Sequence, residues 1–465
     1  MKTTSCPKRF FSLLLLGFFL LTQGFALSSC SVIQRAERAP HTVARYGGGG
    51  RKSSLDIVQN FPFRAPGSPE EKALADWLKA ELERLGLQVE MQSFQVGGKS
   101  SQNVLATIKG KGLKPAELQE DEQMAKSAEM QHPADLEGRR IILGAHYDTL
   151  YSRAQAEEKD QEAQAAEVDE EGNPVASDPN LPKLAQSDGI DDNAAALGVL
   201  LQTARLLAVK PAAYDVTIAF FGAGHADFAG AKFAADQLSP AERGKIDALV
   251  VLDSIYAGDK VYAHAGQNSV ESGEKKKYAL RRKLYECTDV YYDNLLLTRN
   301  GFALYTNQAG CEKDLAGVGN CIYREWTEKR SDHSPFDQLG IPVVFFDSGD
   351  YDIEQCDSPV KESNDPFFAS VNGMIAGSGF DSSDRLLNYF VSEKQQKNRD
   401  RFGRSEETSP LSEERQSVAA ESSQDDYLSE ADRLEIRINN LAFILEQLCR
   451  NVPPGTVAKG AKELS

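Results

Sequence analysis

Imidazoles and carboxylates recur at five places along the 465-residue chain, each ending an apolar stretch or opening the turn after one. The segments are Gly144-Ala145-His146-Tyr147-Asp148, Gly189-Ile190-Asp191-Asp192-Asn193, Gly224-His225, Val251-Leu252-Asp253-Ser254 and Ser331-Asp332-His333-Ser334-Pro335-Phe336. Nitrogen and oxygen ligands of this kind, gathered from separate strand ends, build a Zn²⁺ site or a pair of sites sharing a bridging carboxylate. The expected chemistry is hydrolysis, because such an ion polarises a carbonyl and acidifies water. Asp191 competes with Asp192 for the ligand role in the second segment. Of the six histidines, His41, His132 and His264 fall outside the segments and are read as solvated or structural.

The elements that must position these residues alternate. Ser68 is a natural N-cap with Pro69 at the first helical position and Glu71 at the third, and Leu74, Leu78, Leu82 and Leu85 then share one face until Gly86 ends the helix. Leu87 to Val96 and Asn103 to Ile108 read as hairpin-like strands, and Arg140 to Ala145 as a buried central one. Helix then alternates with strand: a helix over about 194–207, strand Val216 to Phe221, a helix to about Gln237, strand Ala248 to Leu252, and later Pro342 to Phe346. This order predicts an α/β fold with a mixed, largely parallel central sheet and helices on both faces. In such a sheet the site lies at the carboxyl ends of the strands, where His146, His225 and Asp253 fall.

Composition bounds the rest. With 41% hydrophobic and 26% charged residues the chain can bury a full core. Lys8-Arg9 precede the apolar run Phe10 to Leu21, which is short for a membrane span and normal for a secretory leader. Leu27-Ser28-Ser29-Cys30 resembles a bacterial lipobox, making Cys30 the lipidated first residue of an exported protein held in the cell envelope by that anchor alone. Ordinary cleavage after Ala26, leaving Cys30 a free thiol, is the alternative. The formal charge of −17 becomes −20 once residues 1–29, with Lys2, Lys8 and Arg9, are removed, which argues against nucleic-acid or anionic-membrane surfaces as partners. The organisation expected is a leader at 1–29, a flexible tether at 30–56 including Gly47 to Gly50, and a catalytic-type domain at 57–376 with a solvated acidic insertion at 152–186. A polar insertion at 377–429, a docking helix at 430–451 and a tail at 452–465 complete it. Cys287, Cys311, Cys321, Cys356 and Cys449 show no metal-ligand spacing and are expected to be buried or disulfide-bonded.

The order and register of the five segments, with the Gly67-Ser68-Pro69 helix start and the Gly340-Ile341-Pro342 strand entry, resemble the co-catalytic zinc exopeptidases of the bacterial leucyl aminopeptidase type, whose relatives include glutaminyl cyclases and carboxypeptidases. The resemblance runs from about Arg64 to Gly349, plus the last helix, outside the two insertions. It implies a zinc-exopeptidase-like fold and one or two zinc ions. His146 and Asp253 would hold one ion, His225 and His333 the other, and Asp192 would bridge them. Asp148 would orient His146.

The third segment departs from the family. A Glu-Glu pair is expected there, the first glutamate a general base and the second a ligand; this chain has Gly224-His225, with the register set by Phe228 and Gly230. Histidine is an ordinary zinc ligand, but it removes one negative charge and makes double occupancy harder. Glycine cannot accept a proton, and a positioned base contributes roughly 10²- to 10⁴-fold. Asp227 is the nearest candidate substitute, with Glu325 and Glu328 behind it. The function expected is an aminopeptidase-like zinc metallopeptidase acting on the N-terminal residue of peptides. The alternatives are a pseudo-peptidase that binds metal and a peptide or partner, and a glutaminyl-cyclase-like acyltransferase. The sequence is silent on oligomeric state and on residue specificity.

Overall fold

The computed structural model describes residues 46–112, 138–166, 182–270, 275–294, 296, 302–306, 310–312, 322–324, 330–350, 361–403 and 432–450. The expected leader, Cys30, the tail and the candidate bases Glu325 and Glu328 lie outside the described residues. Strands β1 (Val89–Val96) and β2 (Lys99–Ile108) form a hairpin closed by Gly97-Gly98, whose φ values of 54° and 77° suit a two-residue turn between twisted strands. β3 (Arg140–His146), β4 (Asp215–Phe221), β5 (Ile246–Leu252), β6 (Lys260–Ala265) and β7 (Leu304–Thr306) follow. β8 (Gly310–Glu312) and β9 (Ile322–Arg324) make a separate ribbon before β10 (Val343–Gly349). The eight-stranded sheet runs β1-β2-β4-β3-β5-β10-β6-β7. Its centre, β4-β3-β5-β10, is parallel, and the β2–β4 and β10–β6 pairs on either side are antiparallel.

The helices that build the core and the site are α1 (Gly49–Asn60), α2 (Pro69–Arg84), α3 (Arg153–Ala166), α4 (Ala195–Val209), α5 (Ala229–Asp236), α6 (Lys275–Asp293), α7 (Ser334–Gln338), α8 (Ser383–Gly403) and α9 (Arg433–Arg450). The central strands are apolar almost throughout because both faces are covered. Ile141, Leu143 and Ala145 of β3 join Leu74, Leu78 and Leu82 of α2, Leu197 and Leu200 of α4, and Leu441 and Leu445 of α9 on one face. On the other face Ile142, Phe221, Leu249, Val251 and Phe345 meet Ala231 and Ala235 of α5 and Phe336 of α7. The pleat alternates the two sets and so fixes the register that brings the strand ends level.

Two boundaries differ from those expected. The tether placed at 30–56 is built into the domain from Tyr46 onward, because α1 begins at Gly49 and packs against α4 and α9. The glycines serve that packing: a Cβ at Gly50 would lie 2.5 Å from Ile438 Cγ2 and 3.0 Å from the Gly198 carbonyl. The stretch from 377 to 394 is no solvated insertion, since Phe380, Asp381, Leu386 and Phe390 are buried. The acidic segment is solvated as expected where it is described, α3 being almost wholly exposed, with the Asp160 carboxylate accepting hydrogen bonds from the Leu184 and Ala185 amides at 2.8 and 2.9 Å. Cys287 and Cys449 are buried free thiols. Among the described residues no helix is long and apolar enough to cross a membrane.

Candidate metal centre

The parallel strands end together and deliver their polar residues to one place. His146 is the last residue of β3, Gly224-His225 follow β4 and Asp253 follows β5. Asp192 comes from the irregular turn before α4, where its φ of −115° and ψ of 87° break the helical run. His146 Nε2 lies 3.1 Å from Asp192 Oδ1 and 3.3 Å from Asp253 Oδ1, while His225 Nε2 lies 3.1 Å from the other Asp192 oxygen. The two imidazole rings stand nearly perpendicular, 4.9 Å apart.

This donor set fits a divalent ion. Nitrogen and oxygen ligands bound tetrahedrally at about 2.0–2.1 Å are roughly 3.3 Å from one another, and the His146, Asp192 and Asp253 atoms already hold that spacing within a common 4.8 Å group. His225 and the second Asp192 oxygen offer two ligands for a second position. His333 joins neither group among the described residues. It is buried at the start of α7, with the ring 4.7 Å from that of Phe345 on β10. His264, read as structural, is buried with Nε2 2.8 Å from Asp347 Oδ1.

Asp148 organises both histidines. Its carboxylate is fully buried, accepts from the Gly224 amide at 2.6 Å and the His225 amide at 2.9 Å, and lies 3.2 Å from His225 Nδ1 and 3.5 Å from His146 Nδ1. Both imidazoles are thereby turned so that Nε2 faces Asp192. Burial would raise the Asp148 carboxyl, but the two imidazoles hold it below the usual carboxylate range. Asp191 turns away from the ligand set: its Oδ1 accepts from the Tyr256 and Ala257 amides at 3.0 and 2.8 Å, bracing the loop beyond Asp253. Ser331 donates to Asp253 Oδ2 at 2.8 Å, leaving Oδ1 toward His146.

The position of the family's base is filled by another side chain. A Cβ at Gly224 would lie 2.5 Å from His146 Cβ and 2.6 Å from its Cγ, so the His146 ring packs where that side chain would begin. Asp227 lies on the rim of a cleft of about 420 Å³ lined also by His146, Asp192, His225, Asp253 and Arg330. Both its oxygens are in ion pairs, with Lys232 and with Arg330 at 2.7 Å. Lys232 first and Arg330 second hold its carboxyl below the ordinary value, which makes it a poor proton acceptor.

Two carboxylates to which the sequence assigns no role at the site are buried. Glu71, read only as a capping position, accepts from Ser101 and the Ala223 amide at 2.8 Å each, tying α2 to the loop that carries His225; burial pushes its carboxyl up to about 7. Asp332, inside the quoted fifth segment, is buried with neither carboxylate oxygen hydrogen-bonded, and burial lifts it to about 7.

The imidazoles make metal-free stability and metal affinity respond oppositely to pH. Burial lowers the His225 pKa, but Asp192 and Asp148 more than offset it and lift it to about 10; His146 is likewise held well above 6.5, chiefly by Asp253 against its own burial. A histidine pKa raised on folding contributes stability that is fully present below about 6.5 and fades as pH climbs through the folded value. Zn²⁺ requires the neutral rings, so binding releases protons and tightens with pH. The metal-free thermal midpoint is expected to fall from pH 7 to 10, while Zn²⁺ affinity rises about tenfold per pH unit for each proton displaced. Calorimetry in buffers of different ionisation enthalpy checks this, and binding without proton release would contradict it.

Residues 127–366, 240 of the 465 and therefore more than half, match peptidase family M28. The chain belongs to that family. All five metal-centre segments of this M28 protein lie inside the match. It is 22% identical over 359 residues to the alkaline phosphatase isozyme conversion protein of Escherichia coli, covering 76% of this chain and 85% of that one. Among solved structures it is similar to BSAP, a zinc aminopeptidase from Bacillus subtilis, at 13% identity and a TM-score of 0.43, covering 72% of this chain and 90% of that one. It is also similar to the glutaminyl cyclase of Porphyromonas gingivalis, at 19% identity and a TM-score of 0.37, covering 64% and 81%. The M28 fold here is the mixed, largely parallel sheet described above.

Proposed function

We propose that this M28 protein is a zinc-dependent, aminopeptidase-like metallopeptidase that removes N-terminal residues from peptides. The observation that carries the reading is the convergence of His146 Nε2, Asp192 Oδ1 and Asp253 Oδ1 at ligand spacing on the floor of an open cleft. Among the described residues two groups of three have ligand atoms within 4.8 Å of one another, but only His146, Asp192 and Asp253 all line the cleft, whereas the group His146, Asp148 and His225 closes on the fully buried Asp148, and this favours one tightly held ion over two. Zinc bound there would supply a Lewis acid for the scissile carbonyl and lower the pKa of water. The protein's own contribution is to hold the ligands: Asp148 orients both imidazoles, Ser331 orients Asp253, and Asp192 presents one oxygen to each ring. The lipobox-like Leu27-Ser28-Ser29-Cys30 and the acidic mature chain support an exported, lipid-anchored envelope protein whose partner is a peptide.

A second reading, a metal-binding pseudo-peptidase, is favoured by Gly224 and by the ion pairs that occupy Asp227. One experiment separates the two: metal analysis of residues 31–465 together with hydrolysis of aminoacyl chromogenic substrates, with chelator and with zinc restored. Activity lost to chelator and regained with zinc supports the peptidase. Bound zinc without turnover supports the pseudo-enzyme, and absence of metal from the zinc-incubated protein would refute both.

A further inference from the structure

The turn that carries Asp192 satisfies only part of its own backbone, through the Ala194 amide to the Gly189 carbonyl at 3.0 Å and the Ala195 amide to the Ile190 carbonyl. Gly189 has φ 70°, Asp192 and Asn193 leave the helical region, and the peptide groups from 188 to 192 therefore need further partners from elsewhere. Two buried side chains supply many of them. Arg64 donates through Nη1 to the Asp188 carbonyl at 2.8 Å, through Nη2 to the Gly189 carbonyl at 2.8 Å, and through Nε to the Tyr147 carbonyl at 2.7 Å. Tyr147 is the residue between His146 and Asp148. From the other side the Asp381 carboxylate accepts from the Asp191 amide at 2.7 Å and the Asp192 amide at 3.3 Å, and its main-chain carbonyl accepts from the Asp188 amide at 2.9 Å. Gly189 permits the approach, since a Cβ there would lie 2.5 Å from Thr149 Cγ2 and 2.9 Å from Arg64 Nη2.

We propose that Arg64 and Asp381 are positioning residues for the metal centre: Arg64 joins the strand end bearing His146 to the turn bearing Asp192, Asp381 holds that turn from its other side, and together they set the separation of the ligand atoms. Both lie outside residues 127–366. Arg64 bonds to both segments, and its bonds to them land four and three residues before Asp192 and one residue after His146. Ligand sets tolerate displacements of only about 0.5 Å, and the 3.1 Å between His146 Nε2 and Asp192 Oδ1 depends on this junction. Its cationic head also sits among the carboxylates of Asp381, Asp188, Asp192 and Asp148, so it limits their mutual repulsion before any metal binds.

The inference rests on the metal-centre reading above, and its test separates the two. In the zinc-loaded mature chain, Arg64→Lys and Asp381→Asn are compared with Leu82→Ala, a core truncation at the far end of α2. Zn²⁺ affinity is measured by chelator competition, the visible spectrum is recorded with Co²⁺ in place of zinc, and thermal unfolding is followed without metal. Arg64→Lys and Asp381→Asn are expected to weaken Zn²⁺ binding about 10- to 100-fold and to shift the Co²⁺ bands. Leu82→Ala should lower the thermal midpoint with affinity and spectrum unchanged. Wild-type affinity and spectrum in both site variants would overturn the inference, as would losses that merely follow the thermal midpoint in all three proteins. If Arg64→Lys does not fold, Asp381→Asn alone decides by the same readouts. A wild-type chain that takes up neither Zn²⁺ nor Co²⁺ would overturn the metal-centre reading and this inference with it; unchanged variants of a wild type that does bind overturn this inference alone.

Discussion

Asp192→Ala is expected to weaken Zn²⁺ binding about a thousandfold or more, beyond the 10- to 100-fold typical of residues outside the ligand set, and to abolish any zinc-dependent hydrolysis. Asp191→Ala should change the affinity no more than about tenfold. The two aspartates are neighbours, and both are buried. What separates them is where their oxygens go. Asp192 sends one oxygen to each imidazole, at 3.1 Å in both cases, so its loss removes a ligand from the complete set and from the partial one together. Asp191 spends Oδ1 on the Tyr256 and Ala257 amides. Its truncation would leave two buried N–H groups without that acceptor, a cost of about 1–3 kcal/mol each, to be seen as a lower thermal midpoint with metal still bound. Metal analysis and calorimetry on the two variants decide the assignment. Loss of metal from Asp191→Ala with retention in Asp192→Ala would reverse it.

The parts of this fold legible in the sequence are those governed by local chemistry. Ser68 caps α2 and accepts the Glu71 amide at 3.0 Å, as the Ser-Pro-x-Glu pattern indicates. The apolar runs of β3, β4 and β5 announce strands buried on both faces, and the ligand residues at their ends follow from the parallel topology. Illegible parts depend on contacts far apart in the chain. Arg64 meets Tyr147 and Gly189 across 83 and 125 residues, with no pattern to mark it. The glycine run at 47–50 has a tether's composition, and only the approach of Gly198 and Ile438 turns it into helix packing. Asp381 sits at the head of a stretch rich in Ser, Arg and Glu, and Phe380, Leu386 and Phe390 are too few to signal that its beginning is buried. The short strands β6 and β7 at one end of the sheet carry no such signal, because their pairing, rather than their own residues, defines them.

Restoring a side chain at position 224 is expected to damage the metal centre instead of repairing a missing base. The Cβ of any residue there would meet His146 Cβ at 2.5 Å and Cγ at 2.6 Å. The loop cannot easily withdraw, because Asp148 accepts both the Gly224 and the His225 amides, and Glu71 holds Ala223 just before them. His146 must therefore move, and its Nε2 leaves Asp192 and Asp253. Gly224→Ala should weaken Zn²⁺ binding about 10- to 100-fold, the range for a disturbed ligand support, and Gly224→Glu at least as much, with no gain in hydrolysis per bound zinc. Chelator competition and turnover normalised to metal content measure both. Unchanged affinity in Gly224→Glu with turnover raised about 10²-fold or more, as a positioned base would give, would show instead that His146 can retreat. The histidine beside the glycine makes the first outcome the expected one. Asp148 serves His225 Nδ1 and His146 Nδ1 together, so the glycine, the two imidazoles and the buried carboxylate form one packed unit, in which a glutamate introduced singly meets an occupied position rather than a vacancy.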